Sequence, residues 1–458
     1  MLLTGNVGHA DWWSKVKQMG TPLVQYMDDT CEVTFIWRDP QGNEFYSSVC
    51  TVYIEINCLT DHHQDNPQQL TRISGTDVWF WKTIIPSDWH GTYFFIPVDS
   101  DNLAPIHYLK SSTSGEVDIT SNHRKAHSQW WRSILHLAIS DPLNQSSPIY
   151  CIWGQSRSLL YLPNAKRQPI WQAWDKSENY QCNLPNKSIE TLQQFTWQST
   201  LLQNSRSVWL LETQKASDSC VDKPFILMLD GENWAELMPL FSVLQRLTDD
   251  GYLAPAIYAF VGNVSLQQRP QDLGCNPLFW QAVNDELFVD IECKINRDIA
   301  SCQRGVIGQS LGGLAAMFVG LSRPGMFDYV LCQSGSFWWP TPRLMHQWMN
   351  KELSPKEREN AWLTTQVQNK NIANHNIKLV MQIGSKEKRL SALNHHFYRS
   401  LMSTGHQVTM TEYCGGHDQV CWREGLITSL IQWLKSTTTC LDNSPSYLTN
   451  HDIAHCGR

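Results

Sequence analysis

The sequence contains no long apolar run and no cluster of basic residues. No apolar stretch approaches the roughly 20 residues that a membrane-spanning helix needs. Lys and Arg are scattered along a chain whose formal net charge is -7. Such a chain has no electrostatic footprint for nucleic acid or for an anionic membrane surface. We therefore expect neither nucleic acid nor a membrane as a partner.

The N-terminus lacks the basic region and the apolar segment of a signal peptide. From Met1 the chain reaches Asp11 and Trp12 without either feature. We therefore expect a cytoplasmic protein whose 14 cysteines are thiols, because reducing conditions disfavour structural disulfides. No two cysteines form a Cys-x-x-Cys pair, so neither a zinc ribbon nor a thioredoxin-like site is expected. Most cysteines are expected to be small core residues.

The composition is that of a globular protein with a large core. Hydrophobic residues make up 42% of the 458 residues and charged residues 17%. A chain of this length exceeds what one hydrophobic core usually serves, so we expect two domains. There are 21 tryptophans. Most of them are expected in the core, and a minority in an aromatic ligand site.

The first 150 residues alternate short β-rich runs with turn clusters. This spacing predicts an antiparallel β-sandwich. The runs are Val33–Trp37, Val49–Ile56, Val78–Ile85 and Thr92–Pro97. Residues 151–205, rich in Asn, Gln, Ser and Pro, are predicted to be a linker before a first strand at Ser207–Leu211.

From residue 206 the pattern changes to apolar strands followed by helical segments, which predicts a mostly parallel sheet with helices on both faces over residues 206–440. Residues 441–458 are predicted to be a tail. The strands are Phe225–Leu229, Ala256–Val261, Gly305–Gly308, Tyr329–Cys332 and Lys378–Ile383. The helical segments are Ala235–Thr248, Leu311–Leu321 and Leu390–Thr404.

The strongest local motif is Gly308-Gln309-Ser310-Leu311-Gly312 between a predicted strand and a predicted helix. A Gly-x-Ser-x-Gly turn in this context holds the serine on a strained elbow with its hydroxyl exposed. This predicts an α/β-hydrolase in which Ser310 is the nucleophile. The alternative is a glycine-rich turn with an inert serine.

A serine nucleophile needs a base that accepts its proton. His417 follows Gly415 and Gly416 after a strand-like run, and it comes last in the chain, as the base does in α/β-hydrolases. His395, His396 and His406 compete on sequence alone, but they fall in or after a helical segment, where solvent-facing histidines are common. We therefore prefer His417.

The acid that orients this base should follow the strand ending at Ile383, and Glu387 is the first carboxylate there. A solvated surface glutamate among Lys386, Lys388 and Arg389 is the alternative. For the oxyanion hole, Leu311 supplies one backbone N–H, and the Glu232 amide, in the loop after Phe225–Leu229, is the expected second donor.

Together these residues resemble the enterochelin esterase family, cytoplasmic hydrolases of the ferric catecholate siderophore enterobactin. The matching segments are Leu229–Trp234, Arg269–Leu273, the elbow with Gly313, Ser334–Trp339, Gly415–Asp418 with Cys421–Arg423, and, upstream, Phe35–Asp39 and Gly75–Trp79. The upstream matches imply an immunoglobulin-like N-terminal domain. The resemblance spans nearly the whole chain and is more specific than a lipase-type motif.

The resemblance implies hydrolysis of a serine trilactone. Ferric enterobactin is a trianion with three catecholate rings, so an arginine and aromatic rings should line the cleft. Arg269, on the family's loop position, and Trp234 and Trp338 are the expected substrate contacts. Some relatives are thought to work with a Ser-His dyad, which leaves the role of Glu387 open. No cofactor and no metal site built from protein residues is expected, because the adjacent pairs His62-His63 and His395-His396 lack further ligands.

Two other functions remain open at this stage. Similar hydrolase domains process phenolic esters, so a feruloyl or other carboxylesterase is one alternative. It would predict export and a carbohydrate substrate. A non-catalytic siderophore-binding protein is the other, and the presence of Ser310 and His417 at their expected places argues against it.

Overall fold

The computed structural model describes residues 5–61, 67–104, 121–150, 154–176, 192–214, 223–238, 240–341 and 361–434. The α-helices of these ranges are α1 Ala10–Met19, α2 Ser121–Ile134, α3 Pro169–Asp175, α4 Leu240–Asp249, α5 Arg269–Leu273, α6 Pro277–Ala282, α7 Phe288–Ile295, α8 Leu311–Ser322, α9 Trp362–Gln368, α10 Arg389–Ser403 and α11 Gln419–Trp433. Within the described ranges, no helix combines the length and the hydropathy needed to cross a bilayer.

The N-terminal region is built on β-sheets, as predicted. Its strands are β1 Leu23–Met27, β2 Thr30–Arg38, β3 Thr51–Ile56, β4 Thr71–Arg72, β5 Val78–Pro86, β6 His90–Val98, β7 Ile149–Tyr150 and β8 Ser156–Tyr161. They form two four-stranded sheets with the orders β1-β2-β5-β4 and β3-β6-β8-β7. Every strand pair in the two sheets is antiparallel.

The core of this region lies between the two sheets. Alternate residues of β2, among them Val33, Phe35 and Trp37, are buried in one cluster with Ile54 of β3 and Phe95 of β6. Alternation with a period of two directs one face of a strand to the core. One face of β2 therefore packs into the core between the sheets.

Residues 151–205 contain more regular structure than a linker. The strand β8 pairs with β6, from His90 opposite Tyr161 to Tyr93 opposite Ser158. A further strand, β9 Leu192–Ser199, pairs antiparallel with the strand that follows it. The expectation that Ser207–Leu211 begins the second sheet was therefore wrong. The outward-facing Gln and Thr side chains of β9 are typical of an edge strand, and they gave this stretch the composition of a loop.

The second sheet has eight strands in the order β16-β15-β14-β13-β11-β12-β10-β9. Its remaining strands are β10 Asn204–Glu212, β11 Phe225–Leu229, β12 Ile257–Val261, β13 Arg304–Gln309, β14 Tyr329–Gln333, β15 Lys378–Gly384 and β16 Val408–Tyr413. The strands β11 to β16 pair in parallel, and β9 and β10 are antiparallel. The predicted mostly parallel sheet is confirmed.

Helices cover both faces of this sheet. In β11, Leu227 belongs to a buried cluster with Ala315 of α8, whereas its neighbour Met228 belongs to another with Leu244 of α4 and Ile427 of α11. Adjacent residues of a strand point to opposite faces, so a strand buried on both sides is apolar throughout. The predicted helix Ala235–Thr248 is split into a π-helical turn, Asn233–Leu237, and α4.

Candidate active site

Ser310 lies on a sharp turn between β13 and α8, as the motif predicted. Its backbone has φ 56° and ψ -117°, a conformation that side-chain-bearing residues rarely adopt. A Cβ atom at Gly308 would clash with the carbonyl oxygen of Gly312, and one at Gly313 would lie 3.0 Å from Cys332 Sγ. The glycines therefore allow the helix to pack closely against the strand ends while the turn holds Ser310 in this strained position.

The loop after β14 fixes the position of the Ser310 turn. The Ser310 N–H donates to the Gln333 carbonyl at 2.9 Å, and the Ser310 carbonyl accepts from Ser336 N–H at 3.0 Å. The two hydroxyls, Ser310 Oγ and Ser336 Oγ, are 3.4 Å apart. The Ser336 hydroxyl therefore lies within hydrogen-bonding range of the Ser310 hydroxyl.

His417 Nδ1 donates to Glu387 Oε2 at 2.7 Å, so the structure brings the predicted base and the predicted acid together. The Glu387 side chain is only 1% exposed, which excludes the solvated surface glutamate that the neighbouring lysines suggested. Its other oxygen, Oε1, accepts from Ser334 Oγ at 2.6 Å, Gly384 N–H at 2.9 Å and Tyr413 Oη at 3.4 Å. These donors fix the orientation of the buried carboxyl group.

Trp422 supports the same pair, although sequence analysis did not assign it a site role. Its Nε1 donates to Ser334 Oγ at 2.9 Å, and Ser334 in turn donates to Glu387. Its ring meets the His417 ring edge-on, with centroids 4.8 Å apart. The imidazole is thereby held by a carboxylate at one nitrogen and by an aromatic ring at its side.

The N-terminal region also holds the His417 loop, and no sequence motif indicated this. Asn57 Nδ2 donates to the His417 carbonyl at 2.9 Å, and the His417 N–H points to Cys58 Sγ at 3.4 Å. The Asp418 carboxylate accepts from the Thr92 N–H at 2.9 Å and from Thr92 Oγ1 at 2.5 Å. His417 and its loop are therefore held by residues of both regions.

The two predicted oxyanion donors lie at the same edge of the sheet, because they follow the adjacent parallel strands β11 and β13. Leu311 is the first residue of α8, where backbone N–H groups have no partner within the helix. Glu232 lies in the turn after β11, and a Cβ atom at Gly231 would lie 2.7 Å from the backbone of Phe260. Burial raises the pKa of the Glu232 carboxyl, whose oxygens accept from Asn263.

Arg269 is paired within the protein. Its Nε and Nη2 atoms donate to the two oxygens of Asp230 at 2.5 and 2.7 Å, and its side chain is 16% exposed. Burial alone would lower the pKa of Arg269, but the Asp230 carboxylate outweighs it and raises that pKa. Much of the positive charge is thus compensated before any ligand arrives.

The two tryptophans expected at the substrate differ in position. Trp234 is 2% exposed, and its Nε1 donates to Gln309 Oε1 at 3.1 Å beside the Ser310 turn. Trp338 is half-buried and packs against Trp339, with ring centroids 5.1 Å apart. Trp234 lines the cavity at Ser310, whereas Trp338 is outside the cavity lining.

A cavity of about 210 Å³ joins these groups. Its lining includes Ser310, His417, Trp234, Arg269, Asn57 and Arg157. A larger recess of about 830 Å³ lies at the opposite end of the sheet, beside residues that precede β13 to β16. Ligands of open α/β sheets bind outside the carboxyl ends of the strands, where the Ser310 cavity lies, and the larger recess is at the other end.

The competing histidines lie away from Ser310. His395 pairs with Glu412 at 2.7 Å at the surface. His406 is 4% exposed and lies 3.0 Å from Thr404 Oγ1, so the expectation of a solvent-facing side chain was wrong for this residue. The positive φ of Gly405 turns the chain after α10 and places His406 against the sheet. His62 and His63 lie outside the described residues.

In the part of the chain that the structure describes, no group of three or more His, Cys, Asp or Glu side chains could hold a metal ion. The nine cysteines of those ranges are free thiols, and five of them are buried.

The mostly parallel sheet, the serine on its strained elbow and the His417–Glu387 pair define an ester hydrolase with an α/β-hydrolase-like fold. The chain belongs to the enterochelin esterase family. Residues 32–171 match the family model described as "Enterochelin esterase, N-terminal", and residues 217–433 match "Putative esterase".

Curated relatives match nearly the whole chain. The iron(III) enterobactin esterase of Dickeya dadantii is 36% identical over 95% of this chain and 94% of its own length. The protein of the same name from Escherichia coli K12 is 34% identical over 93% of this chain and 96% of its own.

Solved structures share the fold over the same extent. The enterobactin esterase of Shigella flexneri, crystallised in the presence of enterobactin, superposes with a TM-score of 0.72 and 33% identity, covering 93% of this chain and 98% of that one. The ferric enterobactin esterase of Salmonella typhimurium gives a TM-score of 0.73 at 33% identity, covering 92% of this chain and 98% of that one.

Proposed function

We propose that the protein is a serine esterase that hydrolyses the trilactone esters of a ferric catecholate siderophore of the enterobactin type, so that the iron is released inside the cell. The observation that carries this proposal is the contact between His417 and the buried Glu387 at the cavity that contains Ser310. The names of the full-length relatives supply the substrate class.

In this mechanism Ser310 Oγ attacks the carbonyl carbon of one lactone ester while His417 Nε2 accepts its proton. Glu387 accepts a hydrogen bond from His417 Nδ1–H, and this fixes the tautomer in which Nε2 carries no proton. Glu387 also stabilises the imidazolium that forms when Nε2 is protonated. The tetrahedral intermediate expels the seryl alkoxide of the substrate, which takes the proton back from His417. Water, deprotonated by His417, then cleaves the acyl-enzyme and regenerates Ser310.

The negative oxygen of the intermediate is stabilised by backbone N–H groups. Leu311 N–H at the start of α8 is the first donor, and Glu232 N–H in the loop after the neighbouring strand is the second. Both donors follow neighbouring parallel strands at the same edge of the sheet. This supports the assignment made from the sequence.

Arg269, Trp234 and Trp338 are proposed substrate contacts. Trp234 supports an aromatic wall for a catecholate ring, since it lines the cavity next to Gln309. Arg269 offers a planar edge to the ligand while Asp230 holds it in place. Because Trp338 lies outside the cavity lining, its proposed contact is with the outer part of a ligand larger than the cavity.

The immunoglobulin-like character of the N-terminal sandwich, the cytoplasmic location and the end of the hydrolase domain at residue 440 belong to the same proposal. Two packed antiparallel sheets support the sandwich. Cell fractionation tests the location: the protein should accompany cytoplasmic markers and be absent from the periplasm and the medium.

Mass spectrometry of products tests the function. The protein is incubated with ferric enterobactin and, separately, with methyl ferulate, and Ser310→Ala serves as the matched control. We expect linear fragments of the trilactone from the parent protein and intact trilactone from Ser310→Ala. Turnover of methyl ferulate alone would support a feruloyl esterase, and binding of ferric enterobactin without products would support a siderophore-binding protein.

A further inference from the structure

Arg157 lies in the active-site cavity but on a strand of the N-terminal region. It belongs to β8, and it lines the same cavity as Ser310 and His417. Its guanidinium lies over the ring of Phe94, 5.0 Å from the ring centroid, and its Nη1 is 3.5 Å from Thr92 Oγ1. The aromatic contact keeps the flat guanidinium in one plane, which reduces the entropy lost when a ligand binds.

No carboxylate within the described ranges lies at ion-pair distance from the Arg157 guanidinium. Among the described residues, Arg157 forms no ion pair, and its buried Nε has no hydrogen-bond acceptor. The nearest acid along this hydrogen-bond chain, Asp418, already accepts two hydrogen bonds from Thr92 and one from the Val420 N–H at the start of α11. A half-buried guanidinium with donors to spare is therefore directed at the cavity.

Arg269 provides the comparison within the same cavity. Two short bonds join it to Asp230, so its net contribution to the field at Ser310 is small. Removing the guanidinium of Arg269 would leave Asp230 buried and unpaired, whereas removing that of Arg157 would leave no anion without a partner. The two arginines therefore differ in what they offer to a negatively charged ligand.

We propose that Arg157 is the residue that recognises the negative charge of the substrate, and that the N-terminal region thereby contributes a specificity determinant to the active site. This inference rests on the proposed function, because it takes a ferric tris-catecholate as the ligand. The guanidinium donates to catecholate oxygens, and it is already half-buried and held against the Phe94 ring before the ligand arrives. A neutral ester has no group that uses this contact.

The experiment compares Arg157→Gln, Arg157→Lys and Arg132→Gln. Arg132 is an exposed residue on α2 outside the cavity lining, so its replacement removes the same charge from the same region. For ferric enterobactin we expect KM to rise about tenfold or more in Arg157→Gln, as for loss of a charge-assisted hydrogen bond, with a smaller rise in Arg157→Lys. Arg132→Gln should stay within twofold of the parent.

Two further readouts separate charge recognition from a structural role. Hydrolysis of p-nitrophenyl acetate by Arg157→Gln should stay within twofold of the parent, because this ester carries no charge. Raising the salt concentration should increase KM for ferric enterobactin in the parent more than in Arg157→Gln. Salt screens the attraction between the Arg157 charge and the ligand, and the variant lacks that charge.

The outcomes that overturn the inference differ from those that overturn the proposed function. If the parent turns over ferric enterobactin and Arg157→Gln behaves as Arg132→Gln does, Arg157 does not recognise the substrate. If Arg157→Gln loses both substrates equally, its role is structural. If the parent cleaves p-nitrophenyl acetate but not ferric enterobactin, the proposed substrate is wrong, and the inference is overturned with it.

Discussion

Asn57 Nδ2 donates a hydrogen bond of 2.9 Å to the carbonyl oxygen of His417 across 360 residues of sequence. The Asn57 side chain also lies close to Gly416, because a Cβ atom at Gly416 would clash with Asn57 Oδ1. The loop that carries the proposed base is thus fitted against the end of β3. Positioning of His417 therefore depends on the docking of the N-terminal region as well as on the sheet that precedes the loop.

Asn57→Ala should lower kcat/KM about fivefold, because one hydrogen bond of about 1 kcal/mol no longer holds the imidazole in place. The loss should be the same for ferric enterobactin and p-nitrophenyl acetate, because the substitution disturbs the position of His417 and not the binding of the ligand. Steady-state kinetics measure it. Asn102→Ala, which removes a local bond to Asp99, is the matched control and should change neither value. Equal kinetics in the two variants would contradict a positioning role for Asn57.

Ser310→Gly and Ser310→Ala should both lose turnover by several orders of magnitude, because neither has a nucleophile. They should differ in stability. At φ 56° and ψ -117° glycine is unstrained and alanine is not, so Ser310→Gly should unfold with a free energy about 1 kcal/mol higher than Ser310→Ala. Thermal unfolding of the two variants measures this. A lower melting temperature for the glycine variant would show that the elbow is not strained.

Glu387→Gln tests the third member of the site. The amide keeps the size of the side chain, but it removes the charge that fixes the Nδ1–H tautomer of His417, so kcat should fall about a thousandfold. Glu387→Ala is a poorer test, since it would also leave Ser334 and Gly384 N–H without an acceptor. A kcat within tenfold of the parent, with circular dichroism unchanged, would show that a Ser-His dyad suffices.

His90 should make the fold sensitive to acid. Burial, opposed in part by Asp418 and reinforced by Arg423, lowers the pKa of His90 to about 4 from its ordinary 6.5. A lowered pKa in the folded state means that its contribution is complete above pH 6.5 and is lost as the pH falls towards 4; the shift corresponds to about 3 kcal/mol. His90→Phe keeps the stacking on Tyr161 without the titration.

The measurement is the melting temperature of the parent and of His90→Phe between pH 8 and pH 4. The parent should lose more stability than the variant over the lower half of this range. Parallel curves would show that His90 is protonated as easily in the folded protein as in the unfolded one.

Much of the hydrolase half follows from its sequence. The central strands β11, β12 and β14 are buried along their whole length, and burial on both faces of a sheet requires apolar runs. The elbow was equally clear, because glycines at 308 and 312 leave few other folds for a serine between strand and helix. His417 and Glu387 were then identified because each follows the end of a predicted strand.

The remainder depended on tertiary contacts with no local signature. The edge strand β9 carries polar side chains because one face meets solvent, so its sequence resembles a loop. Asn57 and Arg157 reach the site only because the N-terminal sheets pack against the His417 loop, and nothing in their neighbours indicates this. Likewise, the pairing of Arg269 with Asp230 could not be read from the sequence, because a π-helical turn, α4 and β12 separate the two residues.

Labelling with a fluorophosphonate tests the central claim most directly, because the reagent forms a stable adduct with an activated serine. Peptide mapping after partial labelling should find one adduct, on Ser310, in proportion to the activity lost, and ferric enterobactin should slow the labelling. His417→Ala should label far more slowly. Adducts on another serine, or full hydrolysis of ferric enterobactin after complete labelling of Ser310, would contradict the account.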